Sequence, residues 1–227
     1  MRMNKKSIII FCMAALMCSC AAEFNNVYKS PDNDYKYEFA KQCFAEGKFQ
    51  QAISLLQDVV TFRKGTDTAE ESLYLLALSQ YCNHDFEAAS ATFKKYYATY
   101  PKGVFAEQAA FNVGQSLYES TPEPRLDQTP TVGAINAYQQ FLDVFPDSKL
   151  RAEAQQRLFD LQDNLVKKEY LSAELYYNLG GYFGNINANT ESNYEACIIT
   201  AQNALKTYPY TKLREEFAVL IMRSKFD

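Results

Sequence analysis

The sequence predicts an all-α protein, a right-handed solenoid of about five helical hairpins stacked in chain order. Three observations carry this expectation. Downstream of Pro31, apolar residues recur at helical spacing in pieces of about 12 to 17 residues separated by short turns. A turn-plus-helix signature, Glu46-Gly47-Lys48-Phe49-Gln50-Gln51-Ala52, returns as Asn83-His84-Asp85-Phe86-Glu87-Ala88-Ala89. A third version, Thr131-Val132-Gly133-Ala134-Ile135, lacks the aromatic. Finally, a small residue suited to close helix crossing recurs at Ala40, Ala77 and Gly114, each step 37 residues.

The N-terminus is set apart from this pattern. Arg2, Lys5 and Lys6 precede an apolar run from Ile8 to Met17, too short for a ~30 Å hydrocarbon core, so residues 1–19 read as a signal peptide. Met17-Cys18-Ser19-Cys20 resembles a bacterial lipobox, which makes Cys20 the expected lipidation site, with ordinary signal cleavage nearby as the alternative. Residues 20–32 are then a lipidated tether. The solenoid follows over 33–227, with N-terminal repeats at 33–146 and C-terminal repeats at 147–227.

Within the solenoid, second helices end on an aromatic followed by proline, at Tyr100-Pro101, Phe145-Pro146 and Tyr208-Pro209. The period of about 34 residues plus a few in the loops is the tetratricopeptide pattern. Using Ala52, Ala89 and Ala134 as second-helix anchors, the steps are 37 and 45. The surplus sits at Ser120-Thr121-Pro122-Glu123-Pro124-Arg125, read as a Pro-rich surface loop. Beyond Pro146 we expect a long first helix and a second helix joined near Lys167. A loop from Gly184 to Ser192, a helix ending at Pro209 and a last helix from about Thr211 complete the chain. The apolar face of that last helix (Phe217, Val219, Leu220, Ile221) calls for a covering partner or further chain.

Composition narrows the function. Removing residues 1–19 takes away three cations and no acid, which leaves 20 basic against 27 acidic residues, a charge of −7 with no footprint for nucleic acid. One His and no Trp stand beside 17 Tyr and 16 Phe, so no catalytic residue, cofactor or metal site is expected. His84 sits in a turn where the earlier repeat has Gly47. Gly180-Gly181-Tyr182-Phe183-Gly184 follows a helix rather than a strand, which argues against a phosphate loop. Cys43, Cys82 and Cys197 remain as an odd set of small apolar residues, and pairing of Cys43 with Cys82 is left open.

The fifth and twelfth positions of the first helices, which line the concave groove of tetratricopeptide superhelices, are all aromatic. They are Tyr37, Tyr74 and Phe111, then Phe44, Tyr81 and Tyr118. Seven residues apart, each pair shares one helix face, so the six predict two rows for partner binding. Packing between hairpins is the alternative use of the same positions.

The chain resembles the outer membrane protein assembly factor BamD family. The carrying features are the lipobox, Gly47-Lys48-Phe49-Gln50-Gln51-Ala52-Ile53, Tyr100-Pro101, Phe145-Pro146-Asp147-Ser148, Ala173-Glu174-Leu175-Tyr176-Tyr177 and Leu205-Lys206-Thr207-Tyr208-Pro209. The resemblance implies a non-catalytic subunit of the β-barrel assembly machine, lipid-anchored to the outer membrane and facing the periplasm. It implies unfolded outer-membrane β-barrel proteins as clients of the N-terminal repeats. It also implies the barrel-forming subunit BamA as partner of the C-terminal repeats, alongside other machine components. Thr200 stands where family members carry an Arg that helps bind the barrel subunit. The competing reading is a periplasmic adaptor for peptidoglycan or division proteins, or a glycan binder.

Overall fold

In the computed structural model, residues 23–62, 68–180 and 193–226 are described. The signal peptide, Cys20 and the loop from Gly184 to Ser192 therefore lie outside the described residues. A helical stretch at 23–28 precedes nine longer helices among the described residues. These are α1 (Asn33–Ala45), α2 (Phe49–Phe62), α3 (Ala69–Cys82), α4 (Phe86–Thr99), α5 (Ala106–Glu119), α6 (Thr129–Val144), α7 (Arg151–Leu179), α8 (Asn193–Thr207) and α9 (Arg214–Phe226). The protein is all-α, a succession of hairpins of tetratricopeptide type. Two compact units are distinguishable, one through Val113 and one from Gly114 on.

The turn chemistry explains where the helices stop. Asp32 caps α1, accepting from the Asp34 and Tyr35 amides at 2.9 and 3.0 Å. At the end of α1, Gly47 N–H donates to Phe44 O and Lys48 N–H to Cys43 O. The end of α3 repeats this pair, His84 N–H to Tyr81 O and Asp85 N–H to Gln80 O. Both are Schellman closures, which place the residue after the cap in the left-handed region. Gly47 has φ of 74° and His84 has φ of 63°, so His84 does take the glycine's place. The proline stops also repeat. Tyr100 and Phe145, each kept out of the helical region before its proline, have φ/ψ of −127/64° and −122/62°.

The predicted anchors pack as expected. Ala40, Ala77, Ala52, Ala89 and Ala134 are all fully buried. Gly114 is buried too, and a Cβ there would lie 2.9 Å from the Tyr138 ring, so α5 meets α6 at a spacing only glycine allows. Cys43, Cys82 and Cys197 are free thiols, which leaves the Cys43–Cys82 pair unformed.

Three expectations change. No joint exists near Lys167, because α7 runs unbroken for 29 residues, about 43 Å. Neither Gly nor Pro interrupts it; Ala154 and Leu161 are buried on one face of its first part, and Val166 and Ala173 on a face roughly 120° round in its second part. Its first part packs on α6, and α8 and α9 pack on it in turn. The described hairpins are therefore four, followed by α9 alone. The segment assigned to a tether is also folded at 23–28. Val27 is fully buried in the core of the first hairpin, and Phe24 packs against the same cluster. The Pro-rich loop, finally, is fastened to α7. Asn164 Nδ2 donates to Pro122 O at 3.3 Å and to Gln128 Oε1 at 3.0 Å, and Lys168 Nζ donates to Leu126 O at 3.0 Å.

Candidate functional site

The six aromatic positions separate into four groups once packing is known. Tyr37 and Phe111 are core residues, with 2% and 6% of their surface exposed. These two do not line an open groove, and the packing use of the fifth position holds for them.

Tyr74, the third fifth-position residue, is half-buried inside an aromatic cluster. Its ring stacks on Phe105 at 4.4 Å and 7°, and meets Phe93 and Tyr96 edge-on at 5.7 and 5.4 Å. Burial raises the Tyr74 pKa, opposed by a hydrogen bond from Asn112. At the centre of the cluster, Tyr96 Oη donates to Glu70 Oε1 and accepts from the Phe105 amide at 3.2 Å. The same Glu70 oxygen accepts from the Val104 amide at 2.7 Å. Burial first, and then the Glu70 carboxylate, push the Tyr96 hydroxyl well above its ordinary range.

Phe44 and Tyr81 make one contact twice. Phe44 meets Phe49 edge-on at 5.6 Å, and Tyr81 meets Phe86 edge-on at 5.5 Å. In each case the partner is the aromatic of the turn-plus-helix signature. Both rings are half-buried, with the signature aromatic covering part of each.

Tyr118 stands at the third copy of that position, where the signature has no aromatic. Counting back from Ala134, the covering residue is Thr131, which is buried and donates to Gln128 Oε1 at 2.7 Å. Tyr118 accordingly lines an open cleft of about 400 Å³ with Thr121, Pro122, Pro124, Asp160 and Leu161. The Arg157 guanidinium lies over the Tyr118 ring at 4.5 Å. An aromatic wall, a cation and a proline turn whose Pro122 carbonyl is held by Asn164 of α7 leave open space beside this ladder position. The sequence signal that finds it is the missing aromatic in the third signature, read together with the loop insertion.

Two proline turns carry a motif that spacing arguments missed. Pro146-Asp147-Ser148-Lys149-Leu150-Arg151 and Pro209-Tyr210-Thr211-Lys212-Leu213-Arg214 share Pro-x-Ser/Thr-Lys-Leu-Arg. In both, the arginine reaches back to the proline carbonyl, Arg151 at 2.7 Å and Arg214 at 3.0 Å. In both, the hydroxyl accepts from the leucine amide, at 3.0 and 3.1 Å. Thr200 is half-buried on α8. No helix among the described residues is long and apolar enough to cross a membrane.

Residues 30–226 match the model of the YfiO family, described as an outer membrane lipoprotein. Among characterised proteins, the chain is 18% identical over 171 residues to the outer membrane protein assembly factor BamD of Caulobacter vibrioides. That match covers 74% of this chain and 56% of the relative, so the chain spans little more than half the relative's length. Among solved structures, the TPR-like repeats of a Podosopora anserina kinesin light chain align over 84% of this chain and 91% of theirs, with a TM-score of 0.45 and 15% identity.

Proposed function

Since the chain belongs to the YfiO family of outer membrane lipoproteins, we propose that it is a non-catalytic subunit of the machinery that assembles β-barrel proteins in the outer membrane. Cys20 carries the lipid, and the body of the protein faces the periplasm. The N-terminal repeats, 33–146, receive unfolded barrel proteins, and the C-terminal repeats, 147–227, dock the barrel-forming subunit BamA. The observation that carries this reading is the family match, which runs through nearly the whole described chain. The Caulobacter relative, an outer membrane protein assembly factor, agrees with it.

The geometry favours one place for the client. Tyr118 offers an aromatic face beside an open cleft, and Arg157 adds a positive charge next to it. A chain that ends in an aromatic residue and its carboxylate matches that pair of groups. Tyr74 and Tyr81 are weaker choices for a test, because truncating Tyr74 also removes packing from Phe93, Tyr96 and Phe105.

The test is an affinity purification of tagged full-length protein from membranes, wild type beside Tyr118→Ala. The expected result is recovery of the barrel-forming subunit with both proteins, and loss of unfolded barrel clients with the variant alone. Equal client recovery would remove Tyr118 from the client site. Absence of the barrel-forming subunit from the wild-type sample, with peptidoglycan or division proteins in its place, would replace the assembly role with an adaptor role.

A further inference from the structure

The segment between the expected lipid and the first hairpin is too short and too well packed to act as a leash. Cys20 and Glu23 are three residues apart, a reach of at most ~10 Å. From 23 to 28 the chain is helical, with Val27 fully buried in the first hairpin and Phe24 packed against the same core. The Lys29 amide donates to Asn25 O at 3.2 Å and the Ser30 amide to Val27 O at 3.0 Å, which closes this helix directly before Asp32 caps α1. The first hairpin is thus joined to the anchor by a docked element.

Among the exposed residues of that element, Glu23, Asn25, Asn26, Tyr28 and Lys29, one is aromatic, and a second exposed tyrosine follows on α1. Tyr28 is 45% exposed and stacks on Phe24 at 5.9 Å. Tyr35, in the first turn of α1, is 48% exposed and meets Phe39 edge-on at 6.4 Å. Lys36 Nζ lies 5.7 Å from the Tyr28 ring while paired with Asp58 at 2.9 Å, which ties the Tyr28 ring to the hairpin. Between residues 23 and 41 there are three lysines (Lys29, Lys36, Lys41) and four acids (Glu23, Asp32, Asp34, Glu38), so no basic cluster attracts anionic lipid. Tyrosines with an apolar body and a polar tip belong at the headgroup level of a bilayer, whatever its charge.

We propose that Tyr28, Tyr35 and the ring of Phe24 form a membrane-contact surface that seats the first hairpin in the phospholipid headgroup region. The occupant is the bilayer that holds the protein's own lipid, because the docked helix keeps this surface within reach of it. The proposal rests on acylation of Cys20 as proposed above. It adds that the anchored protein has a set orientation at its N-terminal edge.

The chain has no Trp, so single reporters are clean. Tyr28→Trp, Tyr35→Trp and Ala45→Trp are prepared in the full acylated chain, the last at the exposed far end of α1, about 15 Å along the helix from Tyr35. Each must melt with the wild type, and the acyl mass on the N-terminal peptide is measured first. The proteins are then incorporated into phosphatidylcholine vesicles with or without brominated acyl chains, and into vesicles that also contain an anionic lipid. The expected result is emission at least roughly two-fold lower at positions 28 and 35 with brominated chains. The Ala45→Trp signal stays unchanged, and the anionic lipid makes no difference. If the acylated protein is bound but positions 28 and 35 are quenched no more than 45, the surface does not touch lipid and the proposal fails while the anchor stands. If the N-terminal peptide carries no lipid, the anchor reading falls, and this proposal with it.

Discussion

The hairpins α1–α2 and α3–α4 and the region from α5 through α7 use the same parts with different results. In the first two hairpins the 37-residue step is kept, and the contacts repeat with it. Phe44 on Phe49 becomes Tyr81 on Phe86, and Gly47 becomes His84 in the same left-handed turn. Further on, the step lengthens to 45, the covering aromatic is Thr131, and the loop it adds is fastened to one long helix. Tyr118 keeps its place in the pattern but loses its cover, and a cleft opens beside it. A strict repeat closes its aromatic positions on themselves. A lapse in the repeat is what leaves one open.

The largest effect that would break this comparison is on α7. Lys167 is exposed in mid-helix, so Lys167→Pro removes helix continuity and little else, at a cost of about 3 kcal/mol or more in denaturant unfolding. A much smaller loss would mean that α7 already tolerates a joint there, as a pair of ordinary repeat helices would.

In the first unit, Tyr96→Phe deletes a hydroxyl that serves Glu70 and the Phe105 amide, and we expect a loss of about 1–3 kcal/mol. Its pH dependence has a defined sign. The folded state holds the Tyr96 proton more tightly than the unfolded chain does. This contribution is therefore complete below pH ~10 and is lost as pH rises through the raised value. Melting curves from neutral to strongly alkaline pH should fall less steeply for Tyr96→Phe than for wild type, with Tyr74 supplying part of the slope that remains.

Smaller again is Gly114→Ala. Alanine favours the helix, but its Cβ would press on the Tyr138 ring at 2.9 Å, and the net loss should be about 1 kcal/mol. Ala40 and Ala77 hold the same place with a Cβ present, so Ala77→Gly should also destabilise, through lost packing and added chain entropy. Gain of stability in either variant would mean that the two crossings are interchangeable. The smallest effect is a gain. His84→Gly relieves a left-handed side-chain conformation and should stabilise by about 0.5–1 kcal/mol, seen as a modest rise in Tm.

Much of this architecture was legible because its signals are local. Glycine or a substitute after a helix, proline after an aromatic and small residues at a fixed step act within a few residues of themselves, so Gly47, Pro101, Pro146 and Ala77 needed no knowledge of the fold. The breakdown near Lys167 has the same origin. A joint was expected there, but 151–179 holds no Gly or Pro to end a helix, and the backbone continues while its buried face passes from Ala154 and Leu161 to Val166 and Ala173. Docking of 23–28 was hidden because one buried valine carries it, a signal too small for periodicity to register.

The sequence by itself therefore determined the helical class, the hairpin order, the turn types and the small-residue crossings, since each follows from backbone preferences of a few adjacent residues. Tertiary structure alone decided which fifth-position aromatics are spent on the core, as Tyr37 and Phe111 are, and how the fastened loop leaves space beside Tyr118. Tyr37, Tyr74 and Phe111 occupy equivalent positions, as do Phe44, Tyr81 and Tyr118, and nothing in their spacing separates Tyr118 from the rest. What separates it is the next turn: Phe49 and Phe86, each five residues on, cover the earlier rings, whereas the turn after Tyr118 is lengthened, supplies Thr131 instead and is held by Asn164 on α7, which leaves the last ring beside open space.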